Sequence, residues 1–474
     1  MRNYLLFNLC LIFNLTIAQE KVSNIPLITE KKTMLFEIVD TKAKELLLYQ
    51  RDPVVTKVLK TNDKLQVIDT AYFETPNNLI FDQYLGHSKK NENYSVYWSN
   101  DKRDSIFYQQ IDFKVDELKN KIIRVSFQKE KLLGSITVGS NFYLVTIPKD
   151  GNSLTFHQFN EGEYKKKTID FTGLKFYHSE NQNSDLIWDV FNDGFLGFQT
   201  MTNDIPMSLP QTQIKKKLYV KNDKEIIFTF DGNAFFTQIL KINLDDFTYS
   251  LENCEKSTKT LISELEKLPK TNSFICNDKL FQIISTSEFA TIDIKNLKFE
   301  TLKTYRIEKD KQIDFINSEV FQENYEISHK RVLDKSSQFI YRLNNLHLGL
   351  TCQFSNGKYN LLFGAFSNVE NATMYGGMFG LAGALVAASL SPSYSIQSIN
   401  SYSGRQVVYT NSLLDDNLNP VKGKITQSAF DTLRAFASIK NYLNYPMSFK
   451  FDQTTYFGGY DKKTKLLSFY KFND

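Results

Sequence analysis

The sequence predicts an all-β protein assembled from small antiparallel sheets of about four strands each. Three observations carry that prediction. The 474 residues include 39 phenylalanines and 25 tyrosines against 10 prolines and 20 glycines, and aromatic and β-branched side chains suit a pleated, half-buried surface. Short apolar runs recur along the whole chain. Between them stand Gly, Asn and Asp clusters of the kind that close tight hairpins.

Residues 132–171 show the pattern most clearly. Residues 132–138 read as a strand, Gly139-Ser140 as a turn, and 141–147 as the next strand. A turn at Asp150-Gly151-Asn152 leads to 154–159, and Asn160-Glu161-Gly162 leads to 164–171. Comparable runs at 217–251, 273–307 and from 349 onward predict further units. Residues 34–73 and 94–127 fit two earlier ones, and 447–472 supply the closing strands.

A four-stranded meander leaves apolar faces that must pack on something, and stacking like units around an axis is a common solution. The chain resembles β-propeller proteins over residues 33–474, with about six or seven blades. No WD dipeptide or kelch glycine pair recurs at a fixed interval, so the resemblance is one of architecture. Two β-sandwich domains are the alternative way to bury the same strands.

Two stretches break the strand rhythm. Leu261, Ile262, Leu265 and Leu268 recur at helical spacing, and so do Ala429, Phe430, Leu433, Phe436 and Ala437 within a helix expected over 426–443. Residues 179–213 read as a long connecting loop, the kind of segment that often carries function.

The N-terminus has the three-part form of a secretory signal. Arg2 is followed by an uncharged apolar run to Ile17, then by small Ala18 and polar Gln19-Glu20. The run is too short for a comfortable membrane span. Residues 1–18 are therefore expected to be a signal peptide and 19–32 a linker, which places the protein in the periplasm, on the outer membrane surface or outside the cell.

Composition excludes some partners and cofactors. The net charge is only +4, and no basic arm or stripe emerges, so nucleic acid is not an expected partner. The lysine runs at 165–167 and 215–217 read as solvated strand ends or turns. Beyond the signal, Cys254, Cys276 and Cys352 are too few for a disulfide scaffold. An oxidising compartment would allow one bridge, best placed between Cys254 and Cys276.

One segment is unlike the rest. Residues 371–404 contain no charged side chain, and an apolar insertion within them runs from 375 to 390. Gly376, Gly380, Ala384 and Ala388 recur every four residues, and on a helix they would form one narrow stripe beside Leu381 and Leu385. Such a stripe permits close backbone approach. Each glycine costs a helix in water about 1 kcal/mol relative to alanine, so this segment needs packing, a partner or lipid. A helix of this length spans about 24 Å, short of the ~30 Å hydrocarbon core. Burial within the protein, a protein partner or self-association, and shallow membrane contact are the three readings.

Chemistry is sparse. No two of His87, His157, His178, His329 and His347 have the spacing of a zinc pair. No GxSxG elbow, phosphate-binding loop or dinucleotide fingerprint occurs, and no cofactor or metal is expected. Asp415, Asp416, Asn417 and Asn419 alternate oxygen ligands like a calcium loop, but Pro420 and Thr426 occupy the positions that need Gly and Glu. A turn explains them better. Asp185, Asp189 and Asp193 flank Trp188, a combination that suits a carbohydrate or cation site or simply a solvated loop. No catalytic residue is assigned. The sequence points to a non-enzymatic binding or scaffold protein of the cell envelope, with an extracellular polysaccharide hydrolase or lyase as the alternative.

Overall fold

Hairpins with two-residue loops recur along the chain, and their left-handed turn residues match the twist of the strands they join. Glu161 and Gly162, Asn277 and Asp278, and Asn356 and Gly357 all take positive φ at such loops. The computed structural model describes residues 20–75, 80–114, 119–127, 129–179, 182–202, 207–257, 267–324, 326–368, 401–423, 429–452 and 454–473. The chain divides into two units, one formed by residues 1–75 with 426–474 and the other by 76–425.

In the first unit, β2 (Met34–Asp40), β3 (Glu45–Arg51), β4 (Val55–Thr61) and β5 (Val67–Glu74) form a sheet in chain order. A second sheet is built from both ends of the sequence. Strand β1 (Glu20–Pro26) pairs antiparallel with β32 (Leu466–Asn473), followed by β31 (Thr454–Asp461) and β30 (Asn444–Phe451). Leu46, Leu48 and Leu59 of one sheet share a core with Met447, Phe449 and Phe469 of the other. The segment expected as a linker therefore includes a paired strand: Ile25 is buried there, and the Ser23 hydroxyl donates to the Leu65 carbonyl at 2.8 Å.

The second unit carries five larger sheets. Strands β6 (Gln83–Lys90), β7 (Asn93–Ser99), β8 (Ser105–Ile111) and β9 (Asn120–Arg124) form the first. The next holds β10 (Glu130–Val138), β11 (Asn141–Pro148), β12 (Ser153–Asn160) and β13 (Glu163–Asp170). After a ribbon of β14 (Phe176–His178) and β15 (Gln182–Ser184) comes a five-stranded sheet. It comprises β16 (Gln199–Met201), β17 (Lys216–Lys221), β18 (Glu225–Phe230), β19 (Phe236–Asn243) and β20 (Tyr249–Glu255). Strands β21 (Lys270–Cys276), β22 (Lys279–Ser285), β23 (Phe289–Asn296) and β24 (Thr301–Glu308) follow. The last sheet contains β25 (Phe321–Asn324), β26 (Glu326–Val332), β27 (His347–Ser355), β28 (Lys358–Phe366) and β29 (Gln406–Asp415), in spatial order β26-β25-β29-β28-β27.

This is a predominantly β protein made of four- and five-stranded, largely antiparallel sheets. Most fill from strands consecutive in sequence, as propeller blades do, whereas a sandwich would alternate strands between two facing sheets.

The expected loop at 179–213 carries structure. Helix α1 (Ile187–Asn192), β16 and the short helix α2 (Leu209–Thr212) lie within it. The Ile187, Trp188 and Phe191 side chains bury into the core of the second unit, which supplies the stabilisation that the local sequence does not advertise. Helix α3 (Ser336–Asn345) buries only Phe339, Ile340 and Leu343 among its large apolar side chains. Helix α4 (Ala429–Ile439) falls within the expected helix. The helical stretch from 261 lies almost wholly outside the described residues, as do the signal-peptide run and Gly376, Gly380, Leu381, Ala384, Leu385 and Ala388. No helix among the described residues is long and apolar enough to cross a membrane.

Candidate functional site

The densest group of ionisable side chains among those described lies where β17, β18, β19 and β21 begin or end together. Pairing of Lys217 with Thr229, and of Lys270 with Ser285, sets these strand ends at the same level in their two sheets. At their meeting point sits Asp231, in the turn between β18 and β19, with only 1% of its surface exposed.

The Asp231 carboxylate is fully engaged. Its Oδ2 accepts from the Lys217 ammonium at 3.1 Å and from the Ser273 hydroxyl and backbone N–H at 2.6 and 3.1 Å. Its Oδ1 accepts from the Thr237 hydroxyl at 2.7 Å, with the Lys256 ammonium 3.6 Å away. Lys217 also donates to Asn272 Oδ1 at 2.9 Å. Lys256 donates to the Asn233 carbonyl at 2.7 Å and the Thr271 hydroxyl at 2.9 Å, while Lys215 donates to the Thr271 carbonyl. The Asn272 amide reaches the Thr212 and Leu348 carbonyls at 3.0 and 2.9 Å. One polar network thus ties the β17 sheet to the β21 sheet and to β27.

Three lysines face one carboxylate here, and burial makes that imbalance felt. Burial alone would raise the Asp231 carboxyl, but Lys217, Lys256 and Lys215 overcome it and hold the group well below the usual carboxylate range. Burial drives Lys215 down to about 7, opposed by Asp231 and reinforced by Lys256, Lys217 and Lys270. Burial likewise brings Lys256 to about 8. Lys217 is lowered for the same first cause. With Lys215 brought to about 7, the cluster can release a proton near neutrality. Lys217 and Lys256 are wholly buried, and Lys215 keeps partial solvent access.

Lys216 points elsewhere. It donates to the Phe191 and Asp193 carbonyls at 2.8 Å each and also to the Phe195 carbonyl. A cation at the end of α1 satisfies its orphan carbonyls and complements the helix dipole.

A second polar group threads β10–β13. The Tyr164 hydroxyl lies 2.9 Å from His157 Nδ1, and His157 Nε2 lies 3.0 Å from the Thr146 hydroxyl, which donates to Glu130 at 2.5 Å. Burial pushes His157 down to about 4 against the pull of Glu130. Both ring nitrogens are occupied and the ring is fully buried, so this is a cross-strand brace.

The residues singled out from sequence do not assemble into one site. Trp188 is core, while Asp189 accepts from Ser184 and Asp193 from the Ser179 N–H and hydroxyl at 3.0 and 2.7 Å. These carboxylates close local turns. Asp415 accepts from the Asn419 N–H at 2.8 Å, the turn expected in place of a calcium loop. Among the described residues no group of three His, Cys, Asp or Glu side chains could hold a metal. Two expectations are corrected. Cys254 and Cys276 form no bridge: all three described cysteines are free and buried. Cys254 sits beside the Lys295 ammonium, whereas the Cys276 thiol meets Cys352. Nor is the 215–217 lysine run a solvated strand end: only Lys215 keeps partial solvent access. Lys216 and Lys217 are buried on the two faces of β17, Lys216 against the end of α1 and Lys217 against Asp231 and Asn272. Only the spacing of Lys215–Lys217, Asp231 and Lys256 near predicted strand ends could have hinted at the cluster.

No family profile matches this chain, and no curated protein matches it. A solved structure from a study of two prolyl endopeptidases is 9% identical, with a TM-score of 0.34 over 72% of this chain and 40% of its own. Kluyveromyces lactis Hsv2 is 8% identical, with a TM-score of 0.31 over 94% of this chain and 98% of its own. An uncharacterised Listeria monocytogenes protein is 11% identical, with a TM-score of 0.29 over 73% and 82%. Likeness at this level transfers no function, and the strand order carries the fold assignment.

Proposed function

We propose that this chain is an exported, non-enzymatic binding or scaffold protein of the cell envelope whose contact segment is the uncharged stretch 371–404. The supporting observation is how the described flanks of that stretch are held. Strands β28 and β29 pair from Lys358 with Asp415 to Phe366 with Val407. Just beyond, the Ser367 N–H donates to the Gln406 carbonyl at 2.8 Å, the Gln406 N–H donates to the Ser367 hydroxyl at 2.9 Å, and the Arg405 guanidinium donates to the Ser367 carbonyl at 2.9 Å. The chain leaves and re-enters the sheet at one point, and β28 and β29 pair along their whole length up to it. Hairpin connections usually need two to five residues, and one this long and free of charge serves something other than joining two strands.

The test compares the intact protein with a variant carrying Gly-Ser-Gly in place of residues 369–400, and with Leu381→Asp. Sedimentation velocity reads self-association, and flotation with phosphatidylglycerol-containing liposomes reads lipid contact. The expected result is association or flotation of the intact protein alone, with all three proteins melting alike. A variant that melts early would make the segment ordinary core and overturn the reading. Three proteins that neither associate nor float would overturn it as well.

A further inference from the structure

We infer that the converging ends of β17, β21, β27 and β28 form a binding site for a small oxyanion, a phosphate, sulfate or carboxylate group borne by a ligand. Four half-buried cationic or protonatable side chains gather there: Lys215, Lys270, His347 and Arg405. Their contacts bring them together: Lys270 reaches the carbonyl of Leu346 beside His347, Lys215 that of Thr271 beside Lys270, and His347 stands opposite Phe366, next to the Ser367 that Arg405 meets. Their hydrogen-bond partners are neutral. Lys215 donates to the Thr271 carbonyl, Lys270 to the Leu346 carbonyl at 2.7 Å and Arg405 to the Ser367 carbonyl at 2.9 Å. Among the described residues no carboxylate lies within ion-pairing distance of any of them. Carbonyl oxygens satisfy the geometry of an ammonium but leave its charge uncompensated.

Behind this rim the charge is also positive. Lys217 and Lys256 are buried around Asp231, the one carboxylate in the network. The Arg405 Nε is buried and lacks a hydrogen-bond partner. The guanidinium stands 5.4 Å from the Phe366 ring centroid, and the His347 ring lies 5.6 Å from the same ring. That packing limits the freedom of both groups, so a ligand would cost them little ordering entropy. Partial burial strengthens attraction to an anion relative to open water, and it limits the group admitted to a small one. The inference does not depend on what residues 371–404 contact.

His347 reports on the site. Burial first, then Lys270, Arg405 and Lys215, hold its imidazole below the ordinary value, while Asn368 pulls the other way. A bound anion offsets those cations and raises it. The experiment is an NMR pH titration of the histidines in the intact chain, at fixed ionic strength, with chloride, inorganic phosphate or galacturonate. Phosphate or galacturonate, but not chloride, should raise the His347 midpoint by about one pH unit, leaving His157 unmoved. The arm that responds identifies the ligand group. A Lys270→Gln/Arg405→Gln variant should lose at least about tenfold in affinity. A His347 midpoint indifferent to both oxyanions would overturn the inference, as would a response of equal size in the variant.

Discussion

At Asp231 the cost of burying charge is offset by neighbours drawn from three strands and a turn. Removing one neighbour leaves the others badly placed. Lys217→Met should destabilise the protein by about 3–5 kcal/mol, because it leaves both Asp231 and Asn272 Oδ1 short of a partner. Lys217→Met combined with Asp231→Ala should cost clearly less than the sum of the single changes, a coupling that chemical denaturation of the four proteins would read. The lysines also set an uncommon pH response. Lys215, Lys216 and Lys256 titrate near 7 to 8 in the folded chain, against about 10.4 when unfolded. Between those values the unfolded chain binds more protons, so stability rises with pH across that window. The melting temperature should climb by about 2 °C or more from pH 7 to pH 9, and Lys215→Met should flatten the slope. Little of this was legible in the sequence. The runs at 165–167 and 215–217 look alike, yet the first lies exposed on edge strand β13 and the second leads into interior strand β17 with Lys216 and Lys217 buried. Local composition carries no information about which strand faces will be covered by other elements.

Strands advertise themselves when one face is apolar and a turn follows. The meander over β10 to β13 and the hairpin of β21 and β22 were legible for that reason. Strands β4, β6 and β29 were not. In β4 Lys57 and Lys60 interrupt the apolar run, in β6 Gly86 and His87 do, and β29 begins directly after the uncharged segment. Edge strands show a related contrast. Lys121 and Arg124 on β9, Lys165 to Lys167 on β13, Lys303 and Arg306 on β24, and Lys330 and Arg331 on β26 place cations at the last strand of their sheets. Such charges discourage edge-to-edge pairing between molecules. Strand β5 has no lysine or arginine and leaves Ile68 and Tyr72 54% and 65% exposed. It is the weak edge of the first unit. Ile68→Lys should slow heat-induced aggregation, followed by light scattering, while shifting unfolding by no more than about 0.5 kcal/mol.

At the scale of the molecule, a succession of small sheets was legible from composition and turn spacing, whereas the sheet shared by β1 and β32 was not. Pairing between Ile25 and Leu467 joins residues 442 positions apart, and no local pattern encodes a partner at that distance. The same pairing sets an order of assembly. Three of the four strands in that sheet, β30, β31 and β32, lie at the far end of the chain from β1. Strand β1 keeps Ile25 uncovered until β32 docks against it. A chain interrupted before residue 466 would have no β32 to receive it. An unpaired β1, with Ile25 uncovered, is the natural handle by which a chaperone or protease would recognise a copy whose β32 is missing or undocked.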